Sequence, residues 1–226
     1  MLKLPTNPLA LIGEYGNEFK ETEKRASRYN WETTNFNGGA KFLFSLASFL
    51  QPKTIIELGT FEAHATMLFF QATRLNKARI ITIDCDTSIP IKHTDYKLVA
   101  KSRSSRIAKA NAAGGNIIFM PGDTRQVLKK VLPSLKKVDY VFQDSMHFVP
   151  GLLEEFDLVR PYLSPNGVII FDDWWMVKLK YRFLFPYLIQ RFTPRPNDPF
   201  RGPLDTKFTW AEVNRGKGFL IGQRIG

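Results

Sequence analysis

Carboxylates follow two apolar stretches that the sequence predicts as buried strands. Asp144 follows residues 138–142, and Asp172 and Asp173 follow residues 168–171. Because the carboxyl ends of parallel strands meet at one edge of a sheet, we expect these three aspartates to lie close together. Three converging carboxylates repel one another unless a cation lies between them, and oxygen ligands suit a hard ion such as Mg²⁺. Helix capping or exposure to water is the alternative role for each aspartate.

A histidine lies beside the first of these carboxylates. His147 follows Asp144 by three residues, and it is one of only three histidines in the chain. Imidazole titrates near neutral pH, so His147 is a candidate general base, with a structural role as the alternative. We expect His64 to pack in the core or to lie near a cofactor, and His93 to lie at the surface. No cysteine and histidine set has the spacing of a zinc site.

The stretch KTIIELGTFEAHATM, residues 53–67, predicts a buried strand, a tight turn at Gly59 and the start of a helix. Such a turn is a common binding place for nucleotide-like cofactors, although any parallel α/β protein contains one. The phosphate-binding pattern G-x-G-x-x-G is absent, which argues against a dinucleotide. Glu57, two residues before the glycine, favours a ligand with a positive charge and no phosphate.

Two further aspartates follow predicted strands. Asp84 ends residues 79–83, about 25 residues after the turn at Gly59, where a carboxylate of a nucleotide-binding sheet accepts two ribose hydroxyls. A solvated strand end is the alternative for Asp84. Asp123 follows residues 116–120 and can either cap the next helix or contact a cofactor. Cys85, next to Asp84, is expected to be a small buried residue.

Strands and helices alternate along the chain, which predicts a doubly wound α/β fold with a mostly parallel sheet. The predicted strands are residues 54–57, 79–83, 116–120, 138–142 and 168–171, and the predicted helices are residues 17–29, 40–50, 65–75, 95–111, 125–132 and 151–163. Residues 164–167 are predicted as a turn. We expect one domain, with an N-terminal helical cap over residues 1–36, an insertion over residues 176–204, and a terminal hairpin of residues 206–213 and 217–224.

Composition limits the class of protein. The chain has 226 residues and a formal net charge of +11 at pH 7, and its one cysteine fits a reducing compartment. We find no secretion signal and no apolar run long enough to cross a bilayer, so a cytoplasmic location is expected. Two basic regions, residues 92–109 and 178–201, are interpreted either as solvated helix faces or as a surface for an anionic partner.

Taken together, the segments IIELGTFEAHAT, ITIDCD, PGDT and VFQDSMH…GVIIFDDWW resemble a class I S-adenosylmethionine-dependent methyltransferase over residues 37–175. The resemblance implies a Rossmann-like, seven-stranded sheet of order 3-2-1-4-5-7-6 whose last strand is reversed. The cofactor-binding residues that it implies are Glu57, Gly59, Thr60, Phe61, Asp84, Asp123 and Asp144. Glu57 and Gly59 would contact the methionine part of S-adenosylmethionine, Asp84 the ribose and Asp123 the adenine amine. Many members carry further glycines where this chain has Phe61 and Ala63, and Ala63 is expected to loosen the turn.

Asp172 follows Asp144 by 28 residues, a spacing similar to that of Mg²⁺-dependent O-methyltransferases of the catechol type and of the natural-product sugar and phenol type. The Asp172 and Asp173 pair is closer to the latter. This resemblance implies methylation of a hydroxyl on a small molecule, with metal ligands Asp144, Asp172 and Asp173 and with His147 as the base. Trp174 and Trp175 are expected to pack on a sugar or aromatic ring of the acceptor.

Three alternatives stay open at this stage. An RNA methyltransferase would use the basic surface in place of a metal, and salt-dependent RNA binding would identify it. A metal-independent small-molecule methyltransferase would share the cofactor turn. A non-catalytic or membrane-associated protein would use the aromatic and basic residues 174–192 at a lipid interface. The same segment is interpreted instead as a lid, because it directly follows the strand end that carries the aspartates. The acceptor and the oligomeric state, including a homo-oligomer, are not determined by the sequence.

Overall fold

In the computed structural model, residues 2–26, 39–85, 95–145, 149–174, 208–213 and 218–225 are described. The strands are β1 (Thr54–Leu58), β2 (Arg79–Asp84), β3 (Asn116–Pro121), β4 (Val138–Gln143), β5 (Leu163–Phe171), β6 (Phe208–Val213) and β7 (Phe219–Arg224). They form one sheet of order β3-β2-β1-β4-β5-β7-β6. This order confirms the predicted fold.

The pairing of the strands places the carboxyl ends of the central three at one edge. β1 pairs in parallel with β2 and with β4, so that Leu58 lies opposite Ile83 on one side and Gln143 on the other. β7 runs antiparallel to both β5 and β6, which is the predicted reversed hairpin. Side chains that follow β1, β2 and β4 in sequence are therefore brought together in space.

Seven helices cover the two faces of the sheet in the described part of the chain. They are α1 (Leu11–Glu14), α2 (Gly16–Ala26), α3 (Ala40–Leu50), α4 (His64–Ala72), α5 (Tyr96–Ala112), α6 (Thr124–Leu135) and α7 (Val149–Val159). α3 packs on α4, whereas α6 packs on α7. Every residue of α4 is buried, because this helix lies between the sheet and α3.

The apolar runs of the strands form two cores, one on each face of the sheet. Residues that face α3 and α4 include Ile55, Ile80, Tyr140, Phe142 and Ile170. Their neighbours in sequence face α6 and α7 and include Ile56, Ile81, Val141, Ile169 and Phe171. This alternation is the two-residue period of a strand with both faces covered, and it explains why the strands are apolar throughout.

The predicted boundary between the last helix and β5 is wrong. α7 ends at Val159, a 3-10 turn spans Arg160–Tyr162, and β5 begins at Leu163, the last residue of the predicted helix, and runs through the segment predicted as a turn. The Ser164 hydroxyl donates to the carbonyl oxygen of Val138 at 3.2 Å, which ties this segment to β4. Periodicity could not show this cross-strand contact.

Some predictions fall on residues outside the described ranges. These are the insertion at residues 176–204, His147, His93, Trp175 and the turn of the terminal hairpin. The N-terminal cap is described as far as α2, in place of the predicted helix 17–29. Among the described helices, none combines the length and the apolar character needed to span a membrane.

Candidate functional site

Gly59 follows β1 at the point where the carboxyl ends of three strands meet. Its φ is 91°, and its N–H donates to the carbonyl oxygen of Ile83 at 2.9 Å. A Cβ atom on Gly59 would lie 2.4 Å from the carbonyl oxygen of Asp144. The N–H of Asp144 in turn donates to the carbonyl oxygen of Leu58 at 2.7 Å. Since both backbones are held by these bonds, the turn accepts only glycine at this position.

The cofactor turn, defined here as residues 59–63, contains two left-handed residues that are not glycine. The φ angles of Phe61 and Ala63 are 44° and 67°. The N–H of Ala63 donates to the carbonyl oxygen of Thr60 at 2.7 Å, which closes the turn. A side chain in this conformation costs about 1–2 kcal/mol for each residue. These φ angles mean that glycine would suit both positions better than Phe61 and Ala63 do.

Asp84 at the end of β2 binds the cofactor turn directly. Its Oδ2 atom accepts hydrogen bonds from the backbone N–H groups of Thr60 at 3.1 Å and Phe61 at 2.6 Å. Asp84 therefore uses its Oδ2 atom to order the turn. Its Oδ1 atom takes no part in these two hydrogen bonds. Cys85, which follows the strand, is exposed, so the prediction that it is buried is wrong.

Glu57 lies within β1, and its carboxyl group is fully buried. Burial raises the pKa of Glu57 to about 8, although hydrogen bonds from the Thr66 and Thr82 hydroxyls act in the opposite direction. The Thr66 hydroxyl donates to Oε2 at 2.5 Å. Oε1 has no hydrogen-bond partner among the described residues. A buried carboxyl oxygen without a donor is uncommon and calls for a ligand or an ion.

A cavity of about 370 Å³ opens beside the cofactor turn. The lining residues are Glu57, Gly59, Thr60, Phe61, Glu62, His64, Ala65 and Asp144. Five of the predicted cofactor residues thus come together, whereas Asp84 and Asp123 are not part of this lining. Glu62 and Ala65 were not predicted. His64 agrees with the prediction of a cofactor-adjacent position, and its Nε2 atom lies 3.1 Å from Oε2 of Glu62.

Two arginines of α5 contact the outer side of the cofactor turn. Arg103 and Arg106 are only 4% and 7% exposed, so their interpretation as part of a solvated basic helix face is wrong. The sequence signal for this burial is the helical period of α5. The buried residues of this helix are Val99, Arg103, Arg106, Ile107 and Ala110. This spacing places both arginines on the apolar face of α5.

Asp123 caps α6. Its Oδ1 atom accepts from the N–H groups of Arg125 at 3.1 Å and Gln126 at 3.2 Å. The guanidinium of Arg125 also contacts the carboxylate, with Nη2 at 2.9 Å from Oδ2, and this contact lowers the pKa of Asp123. The capping alternative therefore holds, and the contact of Asp123 with an adenine amine stays a prediction.

A buried acid, Glu155, lies behind the end of β4. The Gln143 amide donates to its Oε2 at 2.9 Å, and the Ser145 hydroxyl lies 2.7 Å from Oε1. The Thr124 hydroxyl donates to Oε1 as well. Burial raises the pKa of Glu155 despite these donors. Glu155 thereby orients the segment that carries Asp144, a role that sequence reasoning did not assign.

The end of β5 forms a turn that carries Asp172 and Asp173. The N–H of Asp172 donates to the carbonyl oxygen of Gln143 at 3.0 Å, so the turn lies beside Asp144. Asp173 is 4% exposed and has a φ of 51°. Within the described ranges, no group of three or more His, Cys, Asp or Glu side chains is arranged to hold a metal ion. The metal ligands stay a prediction.

Trp174 belongs to the core. It is 2% exposed, its ring centroid lies 6.4 Å from that of Phe171, and its Nε1–H donates to Oε1 of Glu212 at 3.3 Å. The expectation that Trp174 packs on an acceptor ring is therefore wrong, because the hairpin of β6 and β7 covers this side chain.

Known proteins share parts of this sequence and its fold. The O-methyltransferase hkm8 of Aspergillus hancockii is 26% identical over 175 residues, which cover 72% of this chain and 63% of that protein. The chain therefore spans less than two thirds of the length of this relative.

Two solved structures share the fold at low sequence identity. TomG of Streptomyces achromogenes, an O-methyltransferase of tomaymycin synthesis in complex with SAM, has a TM-score of 0.61 at 21% identity, over 100% of this chain and 93% of that chain. An O-methyltransferase of Bacillus cereus in complex with SAH has a TM-score of 0.59 at 15% identity, over 98% and 92% of the two chains. Residues 56–174, more than half of the chain, match the family model described as a methyltransferase domain, and the protein therefore belongs to this family of S-adenosylmethionine (SAM)-dependent methyltransferases.

Proposed function

We propose that this protein transfers a methyl group from SAM to a hydroxyl oxygen of a small molecule. The curated relative is an O-methyltransferase, and the cavity beside the cofactor turn is about 370 Å³, within the size range of small-molecule sites. When bound, SAM supplies a methyl group on a positively charged sulfur. The protein's own groups bind the cofactor, orient the acceptor and receive its proton.

The buried Glu57 carboxyl is the observation that carries the proposal. Its Oε1 atom lacks a donor among the described residues, and a buried acceptor without a donor costs about 1–3 kcal/mol. The ammonium of the methionine part of SAM would provide that donor. It would also favour the ionised form and bring the Glu57 pKa down from about 8. A neutral donor would lower the pKa less than an ammonium, and an anion would raise it.

The acceptor side of the site is assigned to the end of β4. Asp144 lines the cavity beside the cofactor turn, and the backbone bond from its N–H to Leu58 holds it in register with β1. An acceptor hydroxyl held between Asp144 and the cofactor would face the methyl group. His147 stays the predicted base for the hydroxyl proton.

Magnesium assistance is a separate question from methyl transfer. It would rest on Asp144, Asp172 and Asp173, and the described residues do not bring these side chains into a metal-binding group. The donor set is therefore a poor fit in this conformation, and we derive no step through a metal.

RNA methylation is the alternative that the charge of the chain suggests. The exposed lysines of α5 would contribute to an RNA surface, but Arg103 and Arg106 are buried against the cofactor turn. The charge available to a nucleic acid is thus smaller than the composition indicates. This favours a small-molecule acceptor.

The test is methyl transfer from SAM labelled on the methyl group to phenols, catechols, sugars and total RNA, with and without EDTA. We expect label on a hydroxyl oxygen of a small acceptor, located by mass spectrometry. Label on RNA or on nitrogen would contradict the proposal. Loss of transfer in EDTA that added Mg²⁺ restores would establish the metal.

Binding measurements on variants test the cofactor site independently of the acceptor site. Calorimetric titration with S-adenosylhomocysteine (SAH) measures cofactor binding alone, and Asp84→Ala should weaken it. If the protein binds SAH but methylates no hydroxylated compound, the assignment of the acceptor fails while the cofactor site stands.

A further inference from the structure

We propose that Arg103 and Arg106 are positioning residues that hold the cofactor turn in its binding conformation, because two of its residues adopt left-handed angles without being glycine. The inference rests on SAM as the cofactor and does not depend on the acceptor. Three observations carry it: the bonds from the arginines to the turn, the two left-handed residues of the turn, and the burial of both guanidinium groups.

Arg106 makes the closer contact. Its Nη1 atom donates to the carbonyl oxygen of Glu62 at 2.6 Å and to Oε2 of the same residue at 3.1 Å. The backbone and the side chain of Glu62 are thus held by one guanidinium. Oε2 of Glu62 also lies 3.1 Å from Nε2 of His64, at the start of α4. Arg106 therefore fixes both Glu62 and the entry into α4.

Arg103 contacts the preceding peptide. Its Nη1 atom donates to the carbonyl oxygen of Phe61 at 3.4 Å and lies 4.0 Å from Oδ2 of Asp84. The guanidinium lies over the ring of Phe119, with 4.0 Å from its central carbon to the ring centroid. This stacking locks the orientation of Arg103, because Phe119 belongs to β3 in the sheet.

The conformation of the turn explains why it needs these contacts. Phe61 and Ala63 have φ angles of 44° and 67°, and the two carbonyl groups that the arginines hold belong to Phe61 and to Glu62 between them. Without glycine, the free turn favours other backbone angles. Fixed donors on both carbonyls select the left-handed arrangement before the cofactor arrives, so the turn is preorganised.

A purely electrostatic role for α5 would not require buried arginines. The same helix carries Lys101 and Lys109, which are exposed and could supply positive charge to the solvent side. Arg103 and Arg106 instead point their charge into the protein, at 4% and 7% exposure, against backbone carbonyls and carboxylates. Such placement is typical of residues that orient a loop.

The test is a double-mutant cycle on SAH binding, measured by titration calorimetry of the 226-residue protein. Arg106→Gln is expected to raise the Kd by about tenfold or more, and adding Ala63→Gly is expected to recover at least about a third of that loss on a logarithmic scale. Ala63→Gly alone gives the baseline, since it also removes a buried methyl group. In activity assays the KM for SAM should rise while kcat at saturating SAM changes by less than about twofold.

Lys101→Gln is the matched control, because it removes the same charge from the same helix at an exposed position. It should leave the Kd unchanged. If Arg106→Gln does not fold, Arg106→Lys takes its place, since lysine keeps the charge but loses the planar fork. Its binding should be weaker and should again improve with Ala63→Gly.

The outcomes are distinct. No SAH binding by the unaltered protein would contradict the cofactor assignment itself. Normal binding by the Arg106 variant, or a loss that Ala63→Gly does not repair, would overturn the positioning role, because a residue that only stabilises the fold has no specific coupling to the backbone freedom of residue 63.

Discussion

Two buried glutamates at the carboxyl edge of the sheet differ in how their oxygens are satisfied. Glu57 and Glu155 are both fully buried, and burial raises the pKa of each. Glu155 accepts from three side chains, those of Thr124, Gln143 and Ser145. Glu57 has one oxygen without a donor among the described residues, and it lines the cavity.

The difference distinguishes a structural acid from a binding acid. Both carboxyl oxygens of Glu155 accept hydrogen bonds from other side chains of the protein, so Glu155 does not need a donor from a ligand. Glu57 has an oxygen at the cavity wall that takes no donor from the described part of the chain, so a ligand with a donor can supply that hydrogen bond. Burial and pKa alone would have assigned the two residues the same role, and only the list of donors separates them.

The largest expected effect is on cofactor affinity. Glu57→Gln should raise the Kd for SAH about thirtyfold, because a charge-assisted hydrogen bond contributes about 2 kcal/mol. Glu155→Gln, the same chemical change at the other glutamate, should leave the Kd within about threefold. Titration calorimetry measures both. Equal losses in the two variants would remove the distinction drawn here.

The free energy of unfolding should change more in Glu155→Gln than in Glu57→Gln, which is the opposite of the ranking for the Kd. Glu155→Gln is expected to lower the free energy of unfolding by about 1–2 kcal/mol, because the amide of Gln143 then faces a second amide group in place of a carboxyl oxygen. Urea unfolding at pH 6 in the absence of cofactor checks this. A Glu155 variant as stable as the parent would show that the network adds nothing to the fold.

Stability should also depend on pH through Glu57. The folded pKa of about 8 lies above the ordinary value of 4.5, so between these values the folded state keeps a proton that the unfolded state has released. The contribution is fully present below the lower value and is lost as pH rises toward the upper one. Relative to Glu57→Gln, the unaltered protein should lose about 1.4 kcal/mol per pH unit in this window. Parallel urea-unfolding profiles for the two proteins would contradict the raised pKa.

The smallest expected effect is the release of less than one proton from Glu57 when the cofactor binds. A folded pKa of about 8 keeps most of a proton on Glu57 at pH 7, and pairing with an ammonium should release most of that proton for each cofactor bound. Calorimetric titrations in two buffers of different ionisation enthalpy measure this number. The release should persist in Glu155→Gln and disappear in Glu57→Gln. A value near zero in the unaltered protein would mean that Glu57 is already ionised before binding.

Much of the fold followed from local patterns. The apolar strands alternate with helices in the order of a doubly wound sheet, and the terminal hairpin supplies its reversed strand. Gly59 was identified as the turn, and Glu57 as a charge beside it, from a single stretch of sequence. Several of the predictions that failed, among them the exposure of Arg103 and Arg106 and the role of Trp174, concern residues whose surroundings come from distant parts of the chain.

The sequence by itself determined the alternation of strands and helices, the turn after β1 and the carboxylates at the strand ends, because two-residue and helical periods, glycine and charge act locally, whereas the strand order came from the resemblance to the methyltransferase family. Only the tertiary structure decided which charges are buried and which oxygens have donors. Arg103 reaches Phe61 across 42 residues, and Thr124 reaches Glu155 across 31. Such bonds depend on distances between atoms in the folded protein. The spacing of residues along the chain does not give these distances.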